Sequence, residues 1–403
     1  MKAIHFKNIF ILLFCCLLIS SCTEPYALQT NTFEDALIIE ATITNELKLQ
    51  KVKVTHATKF EDNNPGFEAD ANVYVLDDLS NMYAFVADPG SGYYISTTEF
   101  QAEPARKYKL TVETSDGNVY ESTVETLTTV NNMQDVTVSV GTKNGEPGVL
   151  INVKSFDPSN SSKYYRYEYE ETYKVIAPTW TDFSLVLIPP PTPGPLSSYS
   201  VEVTPRADLN TRVCYATKES DDIIQTNTSL QNEDKLDYTV RFISDQSYII
   251  SHRYSILVRQ YVQNLASYTF YKTLKEISGT GGNILSQNQP GFFYGNVKSA
   301  SNPDKKVIGF FDVSSVSSKR IFFNYTDLYP NRPLPPYKTD CTLVNFNFCF
   351  GPSETCNGGA LVSALLLDTL LYYAGQHPLY SMAPIECGDC TTIGSNIIPP
   401  FWE

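Results

Sequence analysis

Apolar and polar positions in this chain alternate in short runs, and the alternation has a period of two. Residues 37–43, 52–54, 71–76, 83–85, 93–95, 108–112 and 119–124 are such runs, rich in the β-branched and aromatic side chains that fit a pleated, half-buried surface. Asp88-Pro89-Gly90 and Asp116-Gly117 supply turn chemistry between them. Seven strands within about ninety residues predict an immunoglobulin-like β-sandwich over 34–130.

A second β region begins near Asp135. Val136, Val138 and Val140 alternate with polar residues, and Val149, Ile151 and Val153 do so again. Tyr165, Tyr167 and Tyr169 then alternate with Arg166, Glu168 and Glu170, which predicts a half-buried strand with the tyrosines inward and both glutamates on a solvated face. Strands are expected again over 199–203, 238–242, 254–261, 307–311 and 320–323. Ala266, Phe270, Leu274 and Ile277 recur at helical spacing, and the glycines at 279, 281 and 282 end that helix. Residues 359–374 read as a second, buried helix, too short to cross a bilayer. The fold class is therefore mainly β: an N-terminal immunoglobulin-like sandwich, then a larger β-rich part over 131–403. That part carries one or two helices and a disulfide-rich C-terminal region over 341–390.

The first residues follow another pattern. Lys2 and Lys7 precede an apolar run over 9–19, and Ile19-Ser20-Ser21-Cys22 ends it. A basic start, a short apolar stretch and small residues before a cysteine read as a lipoprotein signal over 1–21, removed at Cys22. Cys22 is the expected lipidation site, residues 22–33 a polar tether, and the cell outer membrane the expected address. Six cysteines then remain: Cys214, Cys341, Cys349, Cys356, Cys387 and Cys390. Outside the cytoplasm they are disulfide candidates, and 15 pairings are possible. Cys387 and Cys390 have the spacing of a metal knuckle, but no second such pair exists, so no metal and no cofactor is expected.

The formal net charge is −14, and losing residues 1–21 makes it two charges more negative. Such a chain is repelled by nucleic acid and by anionic lipid, so membrane attachment is assigned to the lipid alone. His56, His252 and His377 are far apart in sequence, and no nucleophile elbow, zinc-protease motif or phosphate loop is present. Glu168 and Glu170 have the spacing for acid–base work on glycosides, yet they share one environment, whereas catalysis needs their pKa values pushed apart. No enzyme activity is expected. The candidate contact surfaces are Leu185, Val186, Leu187 and Ile188, which run into the proline-rich loop 189–195, and Phe292, Phe293 and Tyr294. An equal alternative packs residues 185–188 as a strand within the chain's own core.

Several segments together resemble a known family. They are the Cys22 motif, Gly92-Tyr-Tyr-Ile-Ser96, Tyr108-Lys-Leu-Thr-Val112, Arg253-Tyr-Ser-Ile-Leu-Val-Arg-Gln-Tyr261, Gly295-Asn296-Val297, Val307-Ile-Gly-Phe-Phe311, Cys387-Gly-Asp-Cys390 and Phe401-Trp402. Over nearly the whole chain after the signal, this resembles the Bacteroidetes lipoproteins grouped as domain of unknown function 4249. The resemblance implies an outer-membrane lipoprotein without established catalysis, encoded beside TonB-dependent receptors, and it carries over no functional residue except Cys22. The leading expectation is an accessory or ligand-binding lipoprotein, partner to such a receptor. An extracytoplasmic hydrolase of glycans or peptides and a structural or adhesion module are the alternatives.

Overall fold

Alternation becomes burial in the first strands. In β1 (Leu37–Thr44), Ile39, Ala41 and Ile43 are buried on one face, while half-buried Glu40 and Thr42 point to the other. β2 (Lys51–His56), β3 (Asn72–Asp77), β4 (Met82–Asp88), β5 (Tyr93–Ser96), β6 (Lys107–Glu113), β7 (Val119–Ser122) and β8 (Glu125–Thr126) follow. Val52, Val54, Val73, Val75, Leu110 and Val112 complete a core from which water is excluded. The computed structural model describes residues 36–57, 66–278 and 294–402; Cys22, the glycines at 279–282, Phe292 and Phe293 lie outside the described residues.

The middle of the chain supplies β9 (Met133–Lys143), β10 (Glu146–Asp157), β11 (Tyr164–Ile176), β12 (Phe183–Ile188), β13 (Ser200–Pro205), β14 (Val213–Glu219), β15 (Ile224–Asn227), β16 (Asp234–Ser244) and β17 (Arg253–Gln263). Helix α1 (Leu265–Ser278) comes next, then β18 (Val297–Ser299), β19 (Val307–Asn324) and the short α2 (Tyr325–Leu328). Asn264 caps α1: its side chain accepts the Ser267 N–H at 2.8 Å. The chain closes with β20 (Val344–Asn347), α3 (Gly358–Leu366), β21 (Leu370–Gln376), β22 (Leu379–Pro384) and α4 (Ile385–Gly388).

The molecule is thus mainly β, with several sheets. The largest runs β14-β11-β17-β19-β1-β2-β5-β4-β3-β6-β7-β18, with β15 also on β11 and β8 also on β6. β19 organises it. Its first half pairs in parallel with β1, from Leu37 opposite Val307 to Thr44 opposite Ser314. Its second half pairs antiparallel with β17, from Val262 opposite Ser315 to Arg253 opposite Asn324. The two separate strands expected over 307–311 and 320–323 are therefore one continuous strand.

Two sandwich-like layers share β19. On one side, β1 to β7 and β18 curl around the first core, which Val297, Val307, Phe311 and Val313 complete. Asn296 stitches the curl shut, accepting the Phe311 N–H at 2.7 Å and donating to its carbonyl at 2.8 Å. On the other side, the three-stranded sheet β16-β10-β9 covers β11, β17 and the end of β19. Tyr165, Tyr167, Tyr173, Tyr254, Ile256 and Val258 are buried between them.

A third, smaller core lies beneath the hairpin β12–β13, the sheet β20-β22-β21 and α3. It holds Leu185, Phe346, Leu361, Tyr372, Tyr380 and Met382. The helix expected over 359–374 is only half helix. Asp368 adopts φ +49°, and the Thr369 N–H turns back to the Ala364 carbonyl at 3.1 Å, which ends α3. Residues 370–376 continue as β21. Three disulfides staple this region: Cys214–Cys390, Cys341–Cys387 and Cys349–Cys356. Cys387 and Cys390 each serve a different bridge, so neither thiol is left for a metal.

Candidate binding site

Even-numbered positions of β11 and β19 face away from both large cores. On that outer face stand Arg166 and Glu168 of β11, Arg259 and Tyr261 of β17, Asp312 of β19, Glu40 of β1, Lys51 and Lys53 of β2, and Tyr93 of β5. Were this face flat, β5 and β14 would lie six strand spacings, or about 29 Å, apart. Yet the charge of Glu219 on β14 acts on the Tyr93 phenol of β5, together with those of Glu40 and Glu168. The sheet therefore bends between them, and its outer face forms a trough.

Helix α1 closes one side. Ser267, Phe270, Tyr271 and Leu274 recur at helical spacing and are buried. Phe270, Tyr271 and Leu274 pack on Ile308 and Phe310 of β19. Tyr271 also covers Arg166, whose guanidinium lies 5.0 Å from the Tyr271 ring centre and 4.4 Å from that of Tyr261. Arg166 is 8% exposed and donates to Glu168, which also accepts the Tyr261 hydroxyl at 2.8 Å. Burial would raise the Glu168 carboxyl; the Arg166 charge and the Tyr261 hydrogen bond outweigh it and hold it below the usual range. Burial pushes the Tyr271 phenol up to about 12.

The floor of the trough is Asp312, fully buried. One oxygen, Oδ2, accepts from Ser314 Oγ at 2.7 Å and Ser267 Oγ at 3.0 Å. Among the described residues, neither its other oxygen, Oδ1, nor Arg166 Nε has a hydrogen-bond partner. Burial raises the Asp312 carboxyl, and the Arg166 charge opposes it as the next largest influence. At the mouth, Lys53 lies 3.9 Å from Glu40, and both lysines of β2 sit over the Tyr93 ring at 5.3 and 5.8 Å. Burial raises the Glu40 carboxyl too.

The expected face assignment of β11 holds, because Tyr165, Tyr167 and Tyr169 are all buried. The glutamates opposite are not simply solvated. Glu168 is tied to Arg166, and Glu170 to Arg320 at 2.6 Å. The next carboxylate, Glu171, lies on the core face and escaped the sequence reading. It is 2% exposed, accepts two hydrogen bonds from Arg241 at 3.0 and 3.1 Å, and accepts the Tyr254 hydroxyl at 2.6 Å. The alternation into Thr172 and Tyr173 was the signal that could have found it.

The expected contact residues divide. Leu185 is buried in the third core and Leu187 half-buried, because alternate side chains of β12 turn inward. Leu185 is therefore core, and Val186 and Ile188 are the open positions, 44% and 41% exposed. Tyr294 is exposed. His56 pairs with Glu68 at 2.8 Å, while burial lowers the pKa of His252. His377 is exposed beside Phe348, so the structure does not bring the histidines together.

Fold and site define a mainly β protein whose sheet bends around a charged, tyrosine-lined trough, with a disulfide-bonded C-terminal part. The chain belongs to the family described as Domain of unknown function (DUF4249), whose model matches residues 23–320. The Cys387–Cys390 pair and Phe401-Trp402, which carried part of the resemblance, lie beyond the matched residues. No curated protein matches the chain.

Proposed function

We propose that this protein is a lipid-anchored accessory of the bacterial outer membrane, of the Bacteroidetes type. In this reading it binds a ligand in the trough and works beside a TonB-dependent receptor. What supports the ligand-binding part is the gathering of charged and tyrosine side chains on one outer face, where the Glu40 and Glu168 side chains keep 35% and 39% of their surface exposed. Binding rather than hydrolysis is favoured by how the carboxylates are used. Glu168 and Glu170 are each held by an arginine, which leaves neither poised as a free acid–base partner.

The anchor rests on the basic, apolar and small-residue order ahead of Cys22. Replacing Cys22 with Ala is expected to abolish palmitate incorporation and release the protein from outer-membrane fractions; retention of both properties overturns the anchor. The receptor is tested by pull-down of the tagged protein from detergent-solubilised outer membranes. Recovery of a TonB-dependent receptor in near-equal amount supports the partnership, and its absence refutes it.

A further inference from the structure

We propose that the proline-rich loop 189–195 is a docking element, and that its partner is a folded protein with a groove lined by tyrosine and tryptophan. This rests on the partner-binding reading above and names the element and the chemistry of the contact.

The loop is firmly built and left open. Residues 189–195 read Pro-Pro-Pro-Thr-Pro-Gly-Pro and join β12 to β13. At its foot the hairpin is anchored: Ile188 stands opposite Ser200, and Leu185, Val201 and Val203 reach the third core. At its far end Ser198 donates to the Pro195 carbonyl, from its N–H at 2.9 Å and from its Oγ at 2.6 Å. Gly194 permits that closure, because a Cβ there would meet Ser198 Oγ at 2.6 Å. Yet every residue over 189–198 is exposed except half-buried Pro190.

Backbone chemistry selects the partner. Proline has no N–H, so these residues present a carbonyl each but amide donors only at Thr192 and Gly194. The segments around the third core, 183–205 and 343–384, hold no lysine or arginine. A phosphate-bearing or carboxylate-rich partner would find no base there. The loop offers acceptors and apolar rings. Tyrosine and tryptophan match both: their faces pack on pyrrolidine rings, and the O–H or indole N–H donates to carbonyls. A bilayer core would bury the acceptors without donors. Ile188 and Leu196, 41% and 38% exposed, extend the apolar area at each end of the loop. Fixed proline torsions leave little backbone freedom to lose when a groove closes on them.

The test uses the full chain with p-benzoylphenylalanine in place of Thr192, irradiated in detergent-solubilised outer membranes. The expected result is a crosslink to a protein, mapped beside a tyrosine or tryptophan and insensitive to salt. Pro189→Ala, Pro191→Ala and Pro193→Ala together should lower its yield about tenfold, through the release of three fixed torsions. A cyclised peptide of residues 186–202 should compete, and the same peptide with alanine for every proline should not. Near-UV circular dichroism of the triple variant should match the parent; if it does not, the peptide competition decides alone. A crosslink confined to lipid overturns the proposal, and so does none at all. A protein crosslink that neither the variant nor the peptide diminishes also overturns it, since the prolines then only stiffen the hairpin. A crosslinked protein that responds to both controls but is not a TonB-dependent receptor upholds the loop and refutes the receptor.

Discussion

Glu171 is the residue on which the second core most depends. Its carboxylate is buried between two sheets and satisfied on both oxygens by Arg241 and Tyr254. Removing one partner of such a pair strands the other, which costs about 3–5 kcal/mol. Glu171→Ala should therefore lower the unfolding free energy by that much, read as a lower urea midpoint at unchanged slope. Glu170→Gln, at the edge of the trough, should cost no more than about 1 kcal/mol, as substitutions outside the core do. Equal effects from the two would show that Glu171 is not the buried member.

Asp77 carries a pH dependence with a definite sign. Burial alone would raise its carboxyl, but hydrogen bonds from the Asn81 side chain and backbone, from Arg106 and from the Leu79 N–H hold it at about 2. A carboxyl lowered in the folded state gives stability that is complete above its unfolded pKa, near 4, and is lost as pH falls through about 2. Asp77→Asn should accordingly be less stable than the parent at neutral pH. The gap, followed by denaturant titration, should close between about pH 4 and 2. A gap constant across that window would remove Asp77 from the acid response.

At the scale of elements, the C-terminal part is held more by bridges than by core. Cys214–Cys390 joins β14 to the tail across a sequence separation of 176. The tail continues beside β14, with Trp402 stacked edge-on against Tyr215 at 4.9 Å. Cys349–Cys356 spans only 7 residues. Loop-closure entropy makes the long bridge worth about 5 kcal/mol and the short one about 2.5. Cys214→Ser with Cys390→Ser should thus lower the melting temperature more than Cys349→Ser with Cys356→Ser; the reverse order would mean that local strain outweighs chain entropy here.

Some elements were legible because a local period records them. The tyrosines of β11 and the valines of β10 reveal their buried face without any knowledge of what covers it. Asn144-Gly145, a turn signal that the sequence analysis passed over, makes the hairpin between β9 and β10 with both residues at positive φ. The trough was not legible. Arg166, Asp312 and Glu40 come from three distant segments and meet only because β19 sits between β17 and β1. A lone glutamate inside a run of tyrosines, such as Glu171, reads as a polar interruption until Arg241 is placed opposite it. The helix over 359–374 misled for a related reason: apolar residues surround Asp368 on both sides, and no period distinguishes the helix before it from the strand after it.

At the scale of the whole molecule, charge is unevenly spread. The third lobe, residues 183–205 and 343–384, has only three acids, Glu202, Glu354 and Asp368, and no lysine or arginine. Its surface shows Val186, Ile188, Leu366, Leu367 and Leu379. It also lies at the far end of β19 from Leu37, a strand path on the order of 55 Å. On the proposed receptor reading, Val186→Asp with Ile188→Asp should leave the fold intact and abolish co-purification, whereas Leu185→Asp should unfold the lobe. Intact co-purification from the double variant would place the receptor contact elsewhere.

β19 also sets an order of events. β1 is among the first segments to leave the ribosome, yet its parallel partner follows 270 residues later. Until then one edge of β1 stays open, and the core around Ile39 and Ile43 lacks Val307, Phe311 and Val313. An open edge beside an incomplete core is where chains pair with the wrong neighbour. A product cut short before residue 307 would keep that edge permanently bare, so chaperones and proteases could tell it from a finished copy. The shared strand makes the fold a measure of its own length.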